Sequence, residues 1–158
     1  MTVHPFPPVY DSRCGILILG SFPSVMSRET GFYYGHRQNR FWKVLAAVFG
    51  GDVPETITEK TRFLLTHHIA LWDVIRSCEI TGSSDSSVRN AEINNIAGLL
   101  EKTDVGRIVC NGRLAGKLYE RYVGRDIAIP VVTMPSTSPA NAAWSLERLT
   151  AEWKKALT

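Results

Sequence analysis

The run Cys14-Gly15-Ile16-Leu17-Ile18-Leu19-Gly20 constrains the fold more than any other stretch, because it is strand-length and apolar at nearly every successive position. A strand with one wetted face alternates apolar and polar residues. One that is apolar on both faces belongs in a sheet covered on both sides, as parallel sheets are. Further strand signals lie at residues 69–74, 107–110 and 127–134. Helical spacing of apolar residues predicts helices over 40–49, 58–66 and 90–102, from Leu114 onward, and over 145–157. Strands alternating with helices imply right-handed crossovers. The predicted fold is α/β: a three-layer α-β-α sandwich with a central, mostly parallel four-stranded sheet, residues 1–158 forming a single domain.

Composition narrows the function classes. With 44% hydrophobic and 21% charged residues the chain is globular rather than disordered. A net charge of +3 is compatible with a polyanionic partner without requiring one. Cys14, Cys78 and Cys110 are odd in number, far apart and without a CxxC pair. That pattern suggests neither a disulfide framework nor a metal or cluster site, and a reducing compartment is expected. Residues 1–10 are proline-rich, without the charged-then-apolar order of a signal peptide, and no apolar run approaches the ~20 residues that span a bilayer. A cytoplasmic monomer with no cofactor, metal or membrane contact is expected.

In open α/β sheets ligands bind beyond the carboxyl ends of the strands. Gly20-Ser21-Phe22-Pro23, Asp73, Asn111-Gly112 and the segment from Pro135 to Asn141 all follow predicted strand ends, so they should converge on one edge. The loop Gly31-Phe32-Tyr33-Tyr34-Gly35-His36-Arg37-Gln38-Asn39-Arg40-Phe41-Trp42 adds flat aromatic faces beside neutral polar groups. Such a mixture suits stacking on a base and reading its edge or positioning water. Asn39 also stands where it would cap the next helix.

These same stretches, Gly20-Ser21-Phe22-Pro23-Ser24, the loop from Gly31 through Val44, and Pro135-Ser136-Thr137-Ser138-Pro139-Ala140-Asn141, resemble the uracil-DNA glycosylase superfamily, and its hypoxanthine-DNA glycosylase branch most. The mismatch-specific uracil and thymine enzymes share the loop's layout. Their first motif carries a catalytic Asn, however, and the classical uracil enzymes carry an Asp; here Phe22 stands at that place. Arg37 also replaces a usual Pro, and the second motif has no His. The resemblance implies a monofunctional DNA glycosylase of base excision repair. It would flip a deaminated base, hypoxanthine first and uracil second, out of DNA and hydrolyse its glycosidic bond.

The resemblance to the hypoxanthine branch makes Asn39 the residue whose side-chain oxygen orients the attacking water, alongside its capping role. Tyr34 matches a stacking Phe of the relatives, the alternative being simple packing of the loop. Asn111 has an amide able to donate and accept on a base edge, or is a turn-forming Asn-Gly. Ser21 and the backbone amides of Ser21 and Phe22 would complete base binding. Ser136, Thr137, Ser138, Asn141 and His36 would contact DNA phosphates, or the serine-rich turn is structural; Ser83, Ser84, Ser86 and Ser87 are a possible second phosphate patch or a solvated loop. Asp73 is expected to order the site by local hydrogen bonding. No lysine suits Schiff-base chemistry, since Lys43 lies in a helix. Two rival readings are a non-catalytic nucleic-acid or nucleotide-binding module of the same fold and a nucleoside-processing hydrolase.

Overall fold

The computed structural model describes residues 1–158. Along the chain lie β1 (Thr2–Val3), β2 (Ile16–Gly20), α1 (Val25–Thr30), α2 (Phe41–Phe49), α3 (Ile57–Thr66), β3 (Ile69–Asp73), β4 (Ile75–Glu79), β5 (Arg89–Ile93), α4 (Ile96–Glu101), β6 (Arg107–Asn111), α5 (Arg113–Tyr122), β7 (Val131–Met134) and α6 (Leu146–Leu157). The main sheet has four strands in the order β3-β2-β6-β7, and every neighbouring pair is parallel.

The doubly apolar β2 does what its sequence requires. Ile18 points into one layer, where it meets Leu71, Val109, Phe41, Leu45, Leu64 and Trp153 beneath α2, α3 and α6. Leu17 and Leu19 point the other way, joining Ala70, Ile108 and Cys110 under Ile96, Leu99, Ala115 and Tyr119 of α4 and α5. Each large side chain fully buried this way contributes roughly 1.5–3 kcal/mol. Side-chain caps start four helices: Ser24 accepts from Ser27 N–H, Thr56 from Glu59, Asn95 from Gly98 and Ser145 from Arg148.

Three expectations need correcting. Residues 90–102 are not one helix: Arg89–Ile93 is a strand, and the helix begins only at Ile96. Asn94 separates them, its side-chain amide donating to the carbonyls of Asp73 and Ile75, and Ile93, whose spacing suggested a helix face, ends the strand. That strand belongs to a second sheet, β1-β4-β5, antiparallel throughout, which the sequence did not announce. Finally, β7 is limited to Val131–Met134, because Pro130 offers no N–H to the ladder.

Register fixes what meets at the functional edge. Gly20 lies opposite Asp73, and Asn111 opposite Met134, so the ends of all four strands open onto the same rim.

Candidate active site

A cavity of about 530 Å³ opens at that rim, within the roughly 300–1,000 Å³ typical of ligand pockets. Ser21, Phe22, Tyr34, His36, Asn39, Asn111, Ser136, Thr137 and Ser138 all line it. Asn141 does not. Its side-chain amide donates to the Ser136 carbonyl at 3.0 Å and braces the loop from behind. Asp73 is also in the wall.

On one side, three side chains form a hydrogen-bonded chain whose directions are fixed by geometry. The Phe41 backbone N–H can only donate, so the Asn39 atom it meets at 2.9 Å must be Oδ1. The Thr137 hydroxyl donates to that same oxygen at 2.9 Å and accepts from Asn111 Nδ2 at 3.0 Å. Thr137 N–H in turn donates to Asn111 Oδ1 at 3.1 Å, which settles the orientation of Asn111. Both lone pairs of the Asn39 oxygen are therefore occupied, one by the Phe41 N–H that opens α2 and one by Thr137. The group that Asn39 leaves to the cavity is its Nδ2 amide, not the oxygen expected to hold water. Thr137 needs a correction too: it is fully buried, so its hydroxyl faces inward to the two asparagines rather than outward to phosphate.

The other side is less satisfied. The Tyr34 ring stacks on Phe41, with centroids 4.1 Å apart and an interplanar angle of 22°. Its backbone has φ 54°, a left-handed conformation that few non-glycine residues adopt. The hydroxyl is buried and has no partner, and the Asn111 side chain lies nearby without completing a hydrogen bond. Burial, and then the charge of Asp73, push the phenol well above its ordinary pKa. A Cβ on Gly20 would overlap Asp73 Oδ1 and come within 2.9 Å of the Tyr34 hydroxyl, which explains the glycine. Asp73 Oδ2 accepts a 2.7 Å hydrogen bond from His4 Nε2, and the two side chains are only 4% and 3% exposed. No acceptor within the protein takes the backbone N–H of Ser21 or Phe22.

Supporting contacts hold the loops in place. The Arg40 guanidinium reaches the carbonyls of Ser138, Asn141 and Trp144, tying the aromatic loop to the serine-rich turn. The buried Ser27 hydroxyl accepts from Gly35 N–H at 2.9 Å, and His36 Nδ1 accepts from Gln38 N–H. Within the turn, Ser136 and Ser138 hydroxyls accept from the N–H groups of Ser138 and Ala140, which leaves their own hydrogens free. Ser83 accepts from Val25 N–H, so the serine loop closes against α1. Phe22 lies between Arg28, 5.7 Å from its centroid, and the edge of His4. Sequence reading missed His4 and Arg40. Arg40 had a signal, its place inside the aromatic motif; His4, an isolated histidine among prolines, had none.

No group of three or more His, Cys, Asp or Glu is placed to hold a metal, and no helix is long and apolar enough to cross a membrane. What the arrangement offers is a largely polar cleft with an aromatic ring, two fixed amides, free backbone N–H groups and two carboxylates, Asp73 at the end of β3 and Asp85 in the serine loop against α1. The sequence profile of the Uracil DNA glycosylase superfamily matches residues 7–157. A hypoxanthine DNA glycosylase of Methanosarcina acetivorans is 38% identical over 151 residues, 94% of each chain. One from Methanosarcina barkeri is 33% identical, covering 96% of this chain and 95% of its own. The solution NMR structure of a candidate uracil DNA glycosylase from Methanosarcina acetivorans superposes with a TM-score of 0.84 at 36% identity, covering 96% of this chain and 94% of that one.

Proposed function

Because the chain belongs to the uracil DNA glycosylase superfamily and is a DNA glycosylase, we propose that it excises deaminated bases for base excision repair, hypoxanthine first and uracil second. It acts as a single-domain monomer that flips the target nucleotide and hydrolyses its glycosidic bond. Hypoxanthine ranks first because the two curated relatives above carry that activity in their names. It also does so because Phe22 replaces the polar first-motif residue of the uracil branches.

The observation that carries the reading is the chain Asn39–Thr137–Asn111, which holds two amides rigidly at the rim of a base-sized cavity. Breaking an N-glycosidic bond builds positive charge on the sugar and negative charge on the departing base. Asn39 Nδ2 donates to the water oxygen and leaves a lone pair directed at the anomeric carbon. An oxocarbenium-like sugar is so electrophilic that the water needs placing more than deprotonating, and this suits an amide. The remaining Nδ2 hydrogen of Asn111 and the free N–H groups of Ser21 and Phe22 are preorganised donors for the base anion. Tyr34 presents its outer ring face for stacking, a contact worth ~1–3 kcal/mol per base. Ser136, Ser138 and His36 line the strand's path and contact its phosphates.

The test uses labelled strands bearing a single hypoxanthine, uracil, mismatched thymine or xanthine, cleaved with alkali after incubation. Scission should be fastest at hypoxanthine. Intact strands throughout would end the glycosylase reading, and tight binding without scission would instead support the non-catalytic module.

A further inference from the structure

We propose that Asp73 distinguishes a deaminated base from its parent: its Oδ1 accepts the ring N–H that deamination creates beside the new carbonyl. The proposal rests on the deaminated-base reading above and names the atom that enforces it. Adenine presents a lone pair at N1, and cytosine one at N3. Replacing the neighbouring amine by a carbonyl puts a hydrogen on that nitrogen, giving N1–H in hypoxanthine and N3–H in uracil. An anionic acceptor attracts the damaged base and repels the lone pair of its parent.

Of the two carboxylates that line the cavity, Asp73 and Asp85, Asp73 is the one held at a strand end and fixed by a side-chain partner. His4 Nδ1 accepts from Phe6 N–H at 3.5 Å, so the proton sits on Nε2, which donates to Asp73 Oδ2 at 2.7 Å. That bond fixes the plane of the carboxylate and leaves Oδ1 alone, with no protein donor. The missing Cβ of Gly20 leaves that oxygen uncovered toward the cavity. Because the carboxylate is otherwise almost fully buried, a hydrogen bond to it is charge-assisted in a low-dielectric setting. Its place in the sheet selects the base rather than the sugar. Asp73 ends the edge strand β3, whereas Asn39 is tied to the loop after β7 at the opposite edge. His4 has a second effect: with Oδ2 taken, the carboxylate cannot grip N1–H and the 2-amino group of an undamaged guanine together.

Binding to single-stranded oligonucleotides tests this without duplex-opening costs, with a 2′-fluoro group at the test nucleotide so that the strand is not cut. The wild-type protein should bind hypoxanthine at least about ten-fold more tightly than adenine or 1-methylhypoxanthine. In Asp73→Asn, His4 still donates to the side-chain oxygen, so a donor replaces the acceptor facing the base. The hypoxanthine-over-adenine ratio should then collapse. Equal weakening of both bases would mean a structural role only and overturn the proposal. So would equal binding of hypoxanthine and 1-methylhypoxanthine by the unaltered protein, a result that needs no variant. Neither readout depends on turnover, so a failure of strand scission sinks the catalytic reading by itself.

Discussion

The two sides of the cavity are built on opposite terms. At the β6–β7 side, Asn39, Thr137 and Asn111 bond one another, and the Arg40 guanidinium braces the loop that carries Thr137. At the β2–β3 side, the Tyr34 hydroxyl has no partner and one Asp73 oxygen faces open space. Buried polar groups are normally paired, because leaving one unpaired costs ~1–3 kcal/mol. In the proposed reading, the paired side holds the reacting groups still and the unpaired side is completed by its ligand.

The sharpest blow to the first side is Asn39→Ala. It should lower excision by about 10²–10³-fold, as removal of a preorganised donor does, with DNA affinity retained in a gel-shift titration. It also removes the acceptor of the Phe41 N–H at the start of α2, at about 1 kcal/mol in a denaturant melt. Thr137→Val comes next. It keeps the shape but leaves both asparagines short of a partner, so single-turnover excision should fall at least about ten-fold and stability by ~1–3 kcal/mol. Thr137→Ser should restore most of both, and a fully active valine variant would dissolve the idea of a linked pair.

On the second side, Gly20→Ala drives a methyl against Asp73 and Tyr34. Excision should drop by about ten-fold, mostly through the apparent affinity for substrate, whereas the Thr137 change acts on the rate at saturation. Kinetics over a range of substrate concentrations separates the two. The smallest effect is on Tyr34→Phe, which deletes the orphaned hydroxyl and should raise stability by about 1 kcal/mol near neutrality. The gain should widen above pH 10.0, the ordinary value for tyrosine. There the unfolded chain ionises while the buried phenol, with its raised pKa, stays neutral, so the wild-type fold loses stability as pH rises and the Phe variant loses less. Urea melts at neutral and alkaline pH would register the difference.

The four parallel strands were legible because a doubly apolar run such as Ile16–Gly20 has few other homes. The convergence of Ser21, Asn111 and Thr137 followed from strand ends sharing one edge. Direction was not legible: in Ser136-Thr137-Ser138 three similar hydroxyls alternate, and only the fold decides that the middle one faces Asn39. The strand at Arg89–Ile93 was hidden because a solvent-facing edge strand carries no strong periodic signal. The His4–Asp73 contact, across 69 positions, is long-range geometry that no local pattern encodes.

The amino-terminal segment is woven into the molecule: β1 pairs with β4, His4 N–H donates to the Arg76 carbonyl at 2.7 Å, and Tyr33 hydroxyl donates to the Pro7 carbonyl at 2.9 Å. That weave holds His4 against Asp73, so in the proposed reading the segment takes part in base selection. If Asp73 reads the base as proposed, a change as remote in sequence as His4→Ala, 69 positions away, should loosen the carboxylate and blunt the distinction between hypoxanthine and adenine.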